Sequence, residues 1–229
     1  MKSNRKQQQE ECYRCGTCCT KGGPALHSQD LDLVKDGLLV RSALITIRKG
    51  ELAHNPRTDA VGPVSCELVK IRGKAGKWSC LFYDESTKGC TTYQCRPFAC
   101  TLLKCWDPKE LLDIVEKDTL SRFDILEETE PMYSTVLEYE RLFPCPDMLD
   151  IASWTVDDFK VKGIGLEKVV NDDLNFRDHL VREKNLELNE ELFLFGRPLF
   201  QLLQSLGFSV VQSPTGIKLL QGKNERVKK

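Results

Sequence analysis

The hydrophobic and polar positions follow two regimes along the chain. Up to Trp106, apolar residues come in short runs cut by turn signals: Gly22-Gly23-Pro24, Gly50, Asn55-Pro56, Gly62-Pro63, Gly73 and Gly76. Within this stretch the pattern predicts a helix over Gln29–Asp36, with Ser28 as N-cap and Gly37 as its stop, and a second helix over Ser42–Ala53. Short strands are expected on either side of the Gly73–Gly76 turn, at Leu68–Ile71 and Trp78–Tyr83. Past Cys105 the apolar spacing becomes helical. Asp107-Pro108-Lys109-Glu110 is a helix start, and Leu111, Leu112, Ile114 and Val115 supply its apolar face. Further helical segments are predicted at 132–143, 174–185 and 189–205, the last interrupted at Gly196–Pro198. A hairpin follows over Phe208–Leu220, turning at Ser213-Pro214-Thr215-Gly216. The expected fold class is α+β: a small irregular cysteine-rich metal-binding module at 10–106, then a mostly helical region at 107–229 with a short terminal hairpin.

Composition narrows the class. With 229 residues, 41% hydrophobic and 29% charged, the chain reads as one or two ordinary globular domains, not as a disordered one. The longest apolar stretches, Leu38–Ile47 and Leu192–Leu203, are each broken by an arginine and fall short of the roughly 18–20 residues a membrane span needs. The first eleven residues contain no apolar signal core. The expectation is a cytoplasmic protein with no membrane association. The net charge of −1 hides an asymmetry: residues 1–110 carry 18 Lys and Arg against 12 Asp and Glu, and residues 111–229 carry 15 against 22.

The cysteines explain that asymmetry better than a basic binding face does. Ten of the eleven lie between positions 12 and 105. Where thiols are kept reduced, clustered cysteines read as metal ligands, and an odd total speaks against a disulfide framework. Bound cysteines are thiolates, so ligation would offset the positive excess of the first half. The strongest signal is Cys12-x2-Cys15-x2-Cys18-Cys19. A C-x2-C turn lets two sulfurs reach one ion, and three cysteines at i, i+3 and i+6 can hold three corners of an iron–sulfur cubane. The vicinal pair Cys18-Cys19 departs from the ferredoxin run, and the two side chains can serve different ions or different corners of one site.

A second group follows: Cys80, Cys90, Cys95, Cys100 and Cys105. Together with the first, it resembles the YkgJ-type cysteine-cluster family, whose pattern is C-x2-C-x2-C-C, then a cysteine before an apolar-aromatic stretch, then C-x2-Y-x2-R-P-x2-C. The matching positions are Cys12, Cys15, Cys18, Cys19, Cys80, and Cys90-x2-Tyr93-x2-Arg96-Pro97-x2-Cys100, within residues 10–106. The resemblance implies eight cysteines binding zinc or iron, the latter as an iron–sulfur cluster. Seven positions carry over directly. Cys105 is taken as the eighth because it closes the run before Asp107, with Cys66 and Cys95 as the alternatives. Some relatives resemble flagellin lysine N-methylases, so the resemblance also admits a cluster-containing methylase-like enzyme. No catalytic residue is assigned.

The remaining chemistry is sparse. Arg96, between two ligand candidates, is read as a donor to thiolates or sulfides, and Trp78, Phe82, Tyr83, Tyr93, Phe98 and Trp106 as an apolar shell around the metal. His27 and His54 are minor ligand candidates, His179 a solvated helix residue, and Cys145 a buried or half-buried thiol. The basic stretch Lys70–Lys77 reads as a solvated hairpin tip. No metalloprotease, nucleophile-elbow or phosphate-loop motif is present, and Gly163-Ile164-Gly165 is too short for nucleotide binding. Near-neutral charge argues against a nucleic-acid partner; the helical C-terminal region is expected to offer a surface to another protein. The cysteine spacing leaves two metals open. Zinc would fill two four-thiolate sites structurally, and the overlapping C-x2-C-x2-C tilts toward an iron–sulfur cluster with a structural, sensory or redox role.

Overall fold

The computed structural model of the protein describes residues 9, 12–13, 15–74, 77–214 and 216–222. The elements run in the order α1 (Thr17–Thr20), α2 (Leu31–Lys35), β1 (Leu44–Ile47), β2 (Leu52–Asn55), β3 (Ala60–Pro63), β4 (Leu68–Ile71), β5 (Tyr83–Asp84), β6 (Gly89–Cys90), α3 (Phe98–Leu102), α4 (Lys109–Ile114), α5 (Arg122–Ile125), α6 (Pro131–Leu142), α7 (Met148–Ser153), α8 (Val156–Lys184), α9 (Leu188–Phe195), α10 (Leu199–Gln204), β7 (Phe208–Ser213) and β8 (Gly216–Gln221). The fold is α+β, with small antiparallel pairs, a helical C-terminal region and a terminal hairpin.

The expected helix at Ser42–Ala53 is absent. A 3-10 turn at Arg41–Ala43 leads into β1, which pairs antiparallel with β4 in the register Leu44↔Ile71 to Ile47↔Leu68. Ile45, Thr46 and Ile47 are β-branched, and that stiffness favours the strand once β4 offers a partner. The second edge of β4 is also paired: Leu26 N–H donates to the Val69 carbonyl at 2.8 Å and Ile71 N–H to the Pro24 carbonyl at 3.0 Å. Leu68–Ile71 is therefore a strand as expected, but its partners are β1 and the Pro24–Leu26 segment. Trp78–Tyr83 is not a continuous strand; it makes an isolated bridge between Gly73 and Cys80 before β5 begins. Lys70 belongs to β4 rather than to a solvated tip, and Ala75 and Gly76 lie outside the described residues.

The expected helix over Gln29–Asp36 is α2 preceded by a 3-10 turn at Ser28–Asp30, with His27 rather than Ser28 at the cap, and Gly37 ends it at φ 73°. Only the last third of α8 shows an amphipathic pattern in sequence. The helix starts much earlier, where Thr155 and Asp158 cap each other: Asp158 N–H donates to Thr155 Oγ1 at 3.2 Å and Thr155 N–H to the Asp158 carboxylate at 2.9 Å. The break between α9 and α10 falls at Gly196–Pro198 as expected. Gly196 is needed there, because at φ 65° a Cβ would stand 2.8 Å from the Thr46 carbonyl.

One apolar core joins the two halves of the chain. Leu26, Leu39, Leu44, Val69 and Ile71 from the N-terminal part pack in the same cluster as Val136, Tyr139, Phe193, Phe195, Leu199 and Leu203. Each such side chain contributes about 1.5–3 kcal/mol by leaving water. This differs from a module ordered mainly by its ion. Polar ties cross the same seam: Thr46 Oγ1 donates to the Phe193 carbonyl at 2.5 Å, and fully buried Arg122 donates to the Leu194 carbonyl and binds Glu67 and Glu140, each at 2.6 Å. A second buried group joins Arg177 to Asp173 and Glu191, each at 2.8 Å, and to the Tyr139 hydroxyl. No described helix is long and apolar enough to cross a membrane.

Candidate metal centre

The first cysteine group lies on α1 and the segment before it. Gly16 enters the helix at φ 76°, and a Cβ there would collide with the Tyr83 ring at 2.4 Å, so glycine lets the β5 tyrosine pack against the cysteine turn. Cys18 and Cys19 follow, their sulfurs 3.9 Å apart. Cys15, exposed just ahead of the helix, contacts Thr17 Oγ1 at 3.2 Å. That hydroxyl and the Thr17 backbone hold the Cys15 thiol below its usual range.

Backbone pairing brings the second group onto the first. Cys80 N–H donates to the Cys19 carbonyl at 2.8 Å, which staples the two runs together. Cys80 then accepts from Tyr83 N–H at 3.0 Å, and the two-residue ladder of β5 and β6 sets Tyr83 opposite Cys90. Asp84 closes that hairpin by accepting from Ser86 N–H at 2.8 Å and from the Ser86 and Thr87 hydroxyls, so its carboxyl sits low, at about 2. Cys100 rides on α3, whose first residue, Phe98, donates its N–H to buried Asp30 at 2.7 Å.

The electrostatics show which thiols influence one another. Burial pushes Cys100 up to about 12, and negative charge on Cys80, Cys18, Cys19 and Cys90 adds to the rise. Cys19 is also pushed to about 12, by burial first and then by Cys18, Cys80 and Cys90. Burial raises Cys80 as well. Cys18, Cys19, Cys80, Cys90 and Cys100 therefore lie within electrostatic reach of one another, in a setting that disfavours bare thiolates. Among the described residues, no three or more His, Cys, Asp or Glu side chains are arranged so that they could hold a metal ion. The chemistry of the donor set nonetheless suits a thiophilic ion, because a cation offsets both the burial and the mutual repulsion that disfavour these thiolates.

The other cysteines are placed differently. Cys12 and Cys105 are exposed, and Cys105 accepts from Gln9 Nε2 at 3.7 Å, just upstream of Cys12. Cys66 is half-buried and contacts Thr119 Oγ1 at 3.8 Å. Cys95 is half-buried and lines an open pocket of about 280 Å³ with Cys90 and Leu38. Cys145 is half-buried, as expected, and burial lifts its thiol to about 11.

Arg96 stacks over the Tyr93 ring at 4.1 Å, and its buried Nε has no hydrogen-bond partner among the described residues. Tyr83 is buried at the centre as expected of the aromatic shell, whereas Trp78 is 81% exposed and does not belong to it. Lys77, just before Trp78 and paired to exposed Glu85 at 2.8 Å, draws that segment toward water. His27 is buried with Nδ1 facing the Lys117 carbonyl at 3.0 Å, His54 pairs with Asp59 at 2.9 Å in the open, and His179 is exposed. Sequence reasoning missed Asp30, which reads locally as a helix-start residue and whose bond to Phe98 N–H depends on the fold.

Residues 11–124 match the profile of the CxxCxxCC family, described as a "Putative zinc- or iron-chelating domain", and this region of the chain belongs to that family. With eleven cysteines and this domain, the protein is a metal-binding one. No curated protein matches the chain. No solved structure matches it either.

Proposed function

We propose that the protein carries a thiolate-held metal centre built around Cys18, Cys19, Cys80, Cys90 and Cys100 and completed by Cys12, Cys15 and Cys105, and that the bound group is an iron–sulfur cluster. The observation that carries this reading is the state of Cys100: its thiol is raised by burial and by four other cysteines from three separate parts of the chain. Sulfurs gathered this way stabilise the fold poorly as free thiolates and bind a cation well. Iron–sulfur is favoured over zinc by the overlapping Cys12, Cys15, Cys18 spacing and by the buried Nε–H of Arg96, which has no hydrogen-bond partner among the described residues and is the kind of donor that lowers charge on cluster sulfurs. Such a group supplies electron exchange or oxygen sensing; the protein's own part is to supply sulfurs, exclude water with Tyr83 and fix the ligand geometry through Asp30.

The test is anaerobic purification followed by absorption spectroscopy and elemental analysis. A brown protein absorbing near ~400 nm, with iron and acid-labile sulfide, is the expected result. A colourless protein holding about two zinc ions would replace the cluster by structural zinc. A chain that retains neither metal overturns the centre itself.

A further inference from the structure

Between α2, the 37–42 loop, α5 and the start of α9 runs a groove of about 870 Å³. Leu31, Val34 and Lys35, spaced i, i+3 and i+4, lay one face of α2 along it. Its floor is apolar, because Leu39, Ile125 and Leu126 reach it from the core and are buried. The apolar character continues into solvent. Val40, which lines the groove, is 54% exposed, and Leu38 and Leu188 beside it are 51% and 71% exposed. Apolar side chains left in water around a recess with a charged border are the mark of a surface that receives a partner.

The border is acidic. Asp124, Glu127, Glu187 and Glu190 line the groove against Lys35 and Arg41. Arg41 is already engaged: its Nη1 and Nη2 donate to Glu130 at 2.5 and 2.6 Å, and Nη2 also to the Ile125 carbonyl at 3.2 Å. Among the described residues Glu127, Glu187 and Glu190 take part in no ion pair. An apolar floor under unpaired carboxylates fits an occupant with an apolar strip flanked by lysine or arginine. The chain's own C-terminal residues do not reach the Glu187 wall. Gln221 Nε2 donates to the Trp154 carbonyl ahead of α8, and Glu187 lies past the other end of that 29-residue helix, which is about 43 Å long. The seven residues after Gly222 span at most about 25 Å.

We propose that this groove docks a basic amphipathic segment of a partner protein, with its apolar side chains on Leu39, Ile125 and Leu126 and its cations on Glu127, Glu187 and Glu190. Gly37 and Leu39 line the groove, while Leu38 between them lines the open pocket at Cys90 and Cys95. A docked partner therefore sits one loop away from the second cysteine group. The docking concerns binding alone and holds whether or not a metal is bound.

The experiment uses the full chain and a fluorescent probe peptide of about 14 residues, leucine and lysine at helical spacing, followed by anisotropy. Wild type should bind the probe, and added salt should weaken binding. Combining Glu127→Gln, Glu187→Gln and Glu190→Gln should weaken it about 10-fold. Val40→Ser should weaken it about 3-fold. The combination Asp59→Asn, Glu85→Gln and Asp157→Asn, which removes three exposed carboxylates outside the groove, should change it far less. Equal losses in the two triple variants, or a Val40→Ser protein that binds like wild type, reduce the effect to general charge attraction and overturn the groove. Absence of binding to wild type overturns it as well. Should a variant not fold, the wild-type protein decides: a probe of the same composition with its leucines scattered should bind about 10-fold more weakly, and equal binding rejects an amphipathic occupant. A probe with the sequence of residues 1–9 that binds as tightly as the first makes the chain's own N-terminal residues the occupant. A chain that is dimeric in solution, and monomeric once Glu127, Glu187 and Glu190 are replaced, makes a second copy the occupant. Either result overturns the partner.

Discussion

Asp30 holds Phe98. The carboxylate of Asp30, almost fully buried, accepts from Phe98 N–H at 2.7 Å through one oxygen and from His27 N–H at 2.9 Å through the other. It thereby clamps the start of the Cys100 helix to the segment that borders β4. Replacing it with alanine leaves two amides without their acceptor, and Asp30→Ala should lose about 2–4 kcal/mol in urea denaturation. It should also bind metal more weakly than wild type, because Cys100 is no longer fixed. Unchanged metal affinity in a folded Asp30→Ala protein would detach the clamp from the site.

Serine substitutions separate ligands from bystanders. Cys90→Ser and Cys15→Ser should yield metal-poor protein, whereas Cys145→Ser, altering a thiol outside the five-sulfur group, should keep the wild-type metal content. Elemental analysis of the three variants prepared in parallel checks this. Equal content in all three contradicts the proposed ligand set.

The raised thiols make the metal-free protein sensitive to alkali. Cys19 and Cys100 hold their protons up to about 12 when folded, against an unfolded thiol value of about 8.5. A group whose folded value is raised stabilises the fold fully below the unfolded value and loses that contribution as pH climbs through the folded one. Thermal melts of metal-stripped protein should therefore fall steadily above about pH 9. The loaded protein should be far less affected, since its ligands are already deprotonated, while its metal should be lost as pH drops and protons compete for sulfur. A metal-free melting temperature that stays level to pH ~10.5 would contradict the burial of these thiols.

Arg122 offers a test independent of metal. Its guanidinium is fully buried between Glu67 and Glu140 and also bonds the Leu194 carbonyl. Arg122→Ala strands the carboxylate of Glu67, 16% exposed, and should destabilise by about 3–5 kcal/mol, measured by denaturant midpoint. Replacement of the whole trio by apolar residues should be much milder.

The parts of this protein legible in sequence are those specified by neighbours along the chain. The Gly196–Pro198 break, the turn at Ser213–Gly216 and the sulfur run from Cys12 to Cys19 depend on local chemistry, and each was readable. The strand Leu44–Ile47 was not, because its apolar count suits a helix face equally well and its partner lies beyond two intervening elements. The first two turns of α8 and beyond escaped notice for another reason: Val161 and Ile164 are 81% and 79% exposed and Gly163 and Gly165 interrupt the pattern, so no apolar stripe marks them. Buried Arg48, Arg122 and Arg177 look like surface residues until distant carboxylates are placed beside them. At the site, convergence of the two cysteine groups depends on one long-range backbone bond, Cys80 to Cys19, which no spacing rule contains.

The shared core has a consequence for the protein's life history. The leucines and phenylalanines that unite Leu26, Leu44 and Ile71 with Phe193 and Leu203 contain no donor atoms for an ion, and the Arg122 and Arg177 clusters need none. Synthesis and maturation can therefore be separate events. Most of the scaffold can be in place before any ion is taken up, and Cys80, itself part of that core, is where scaffold and sulfur group join.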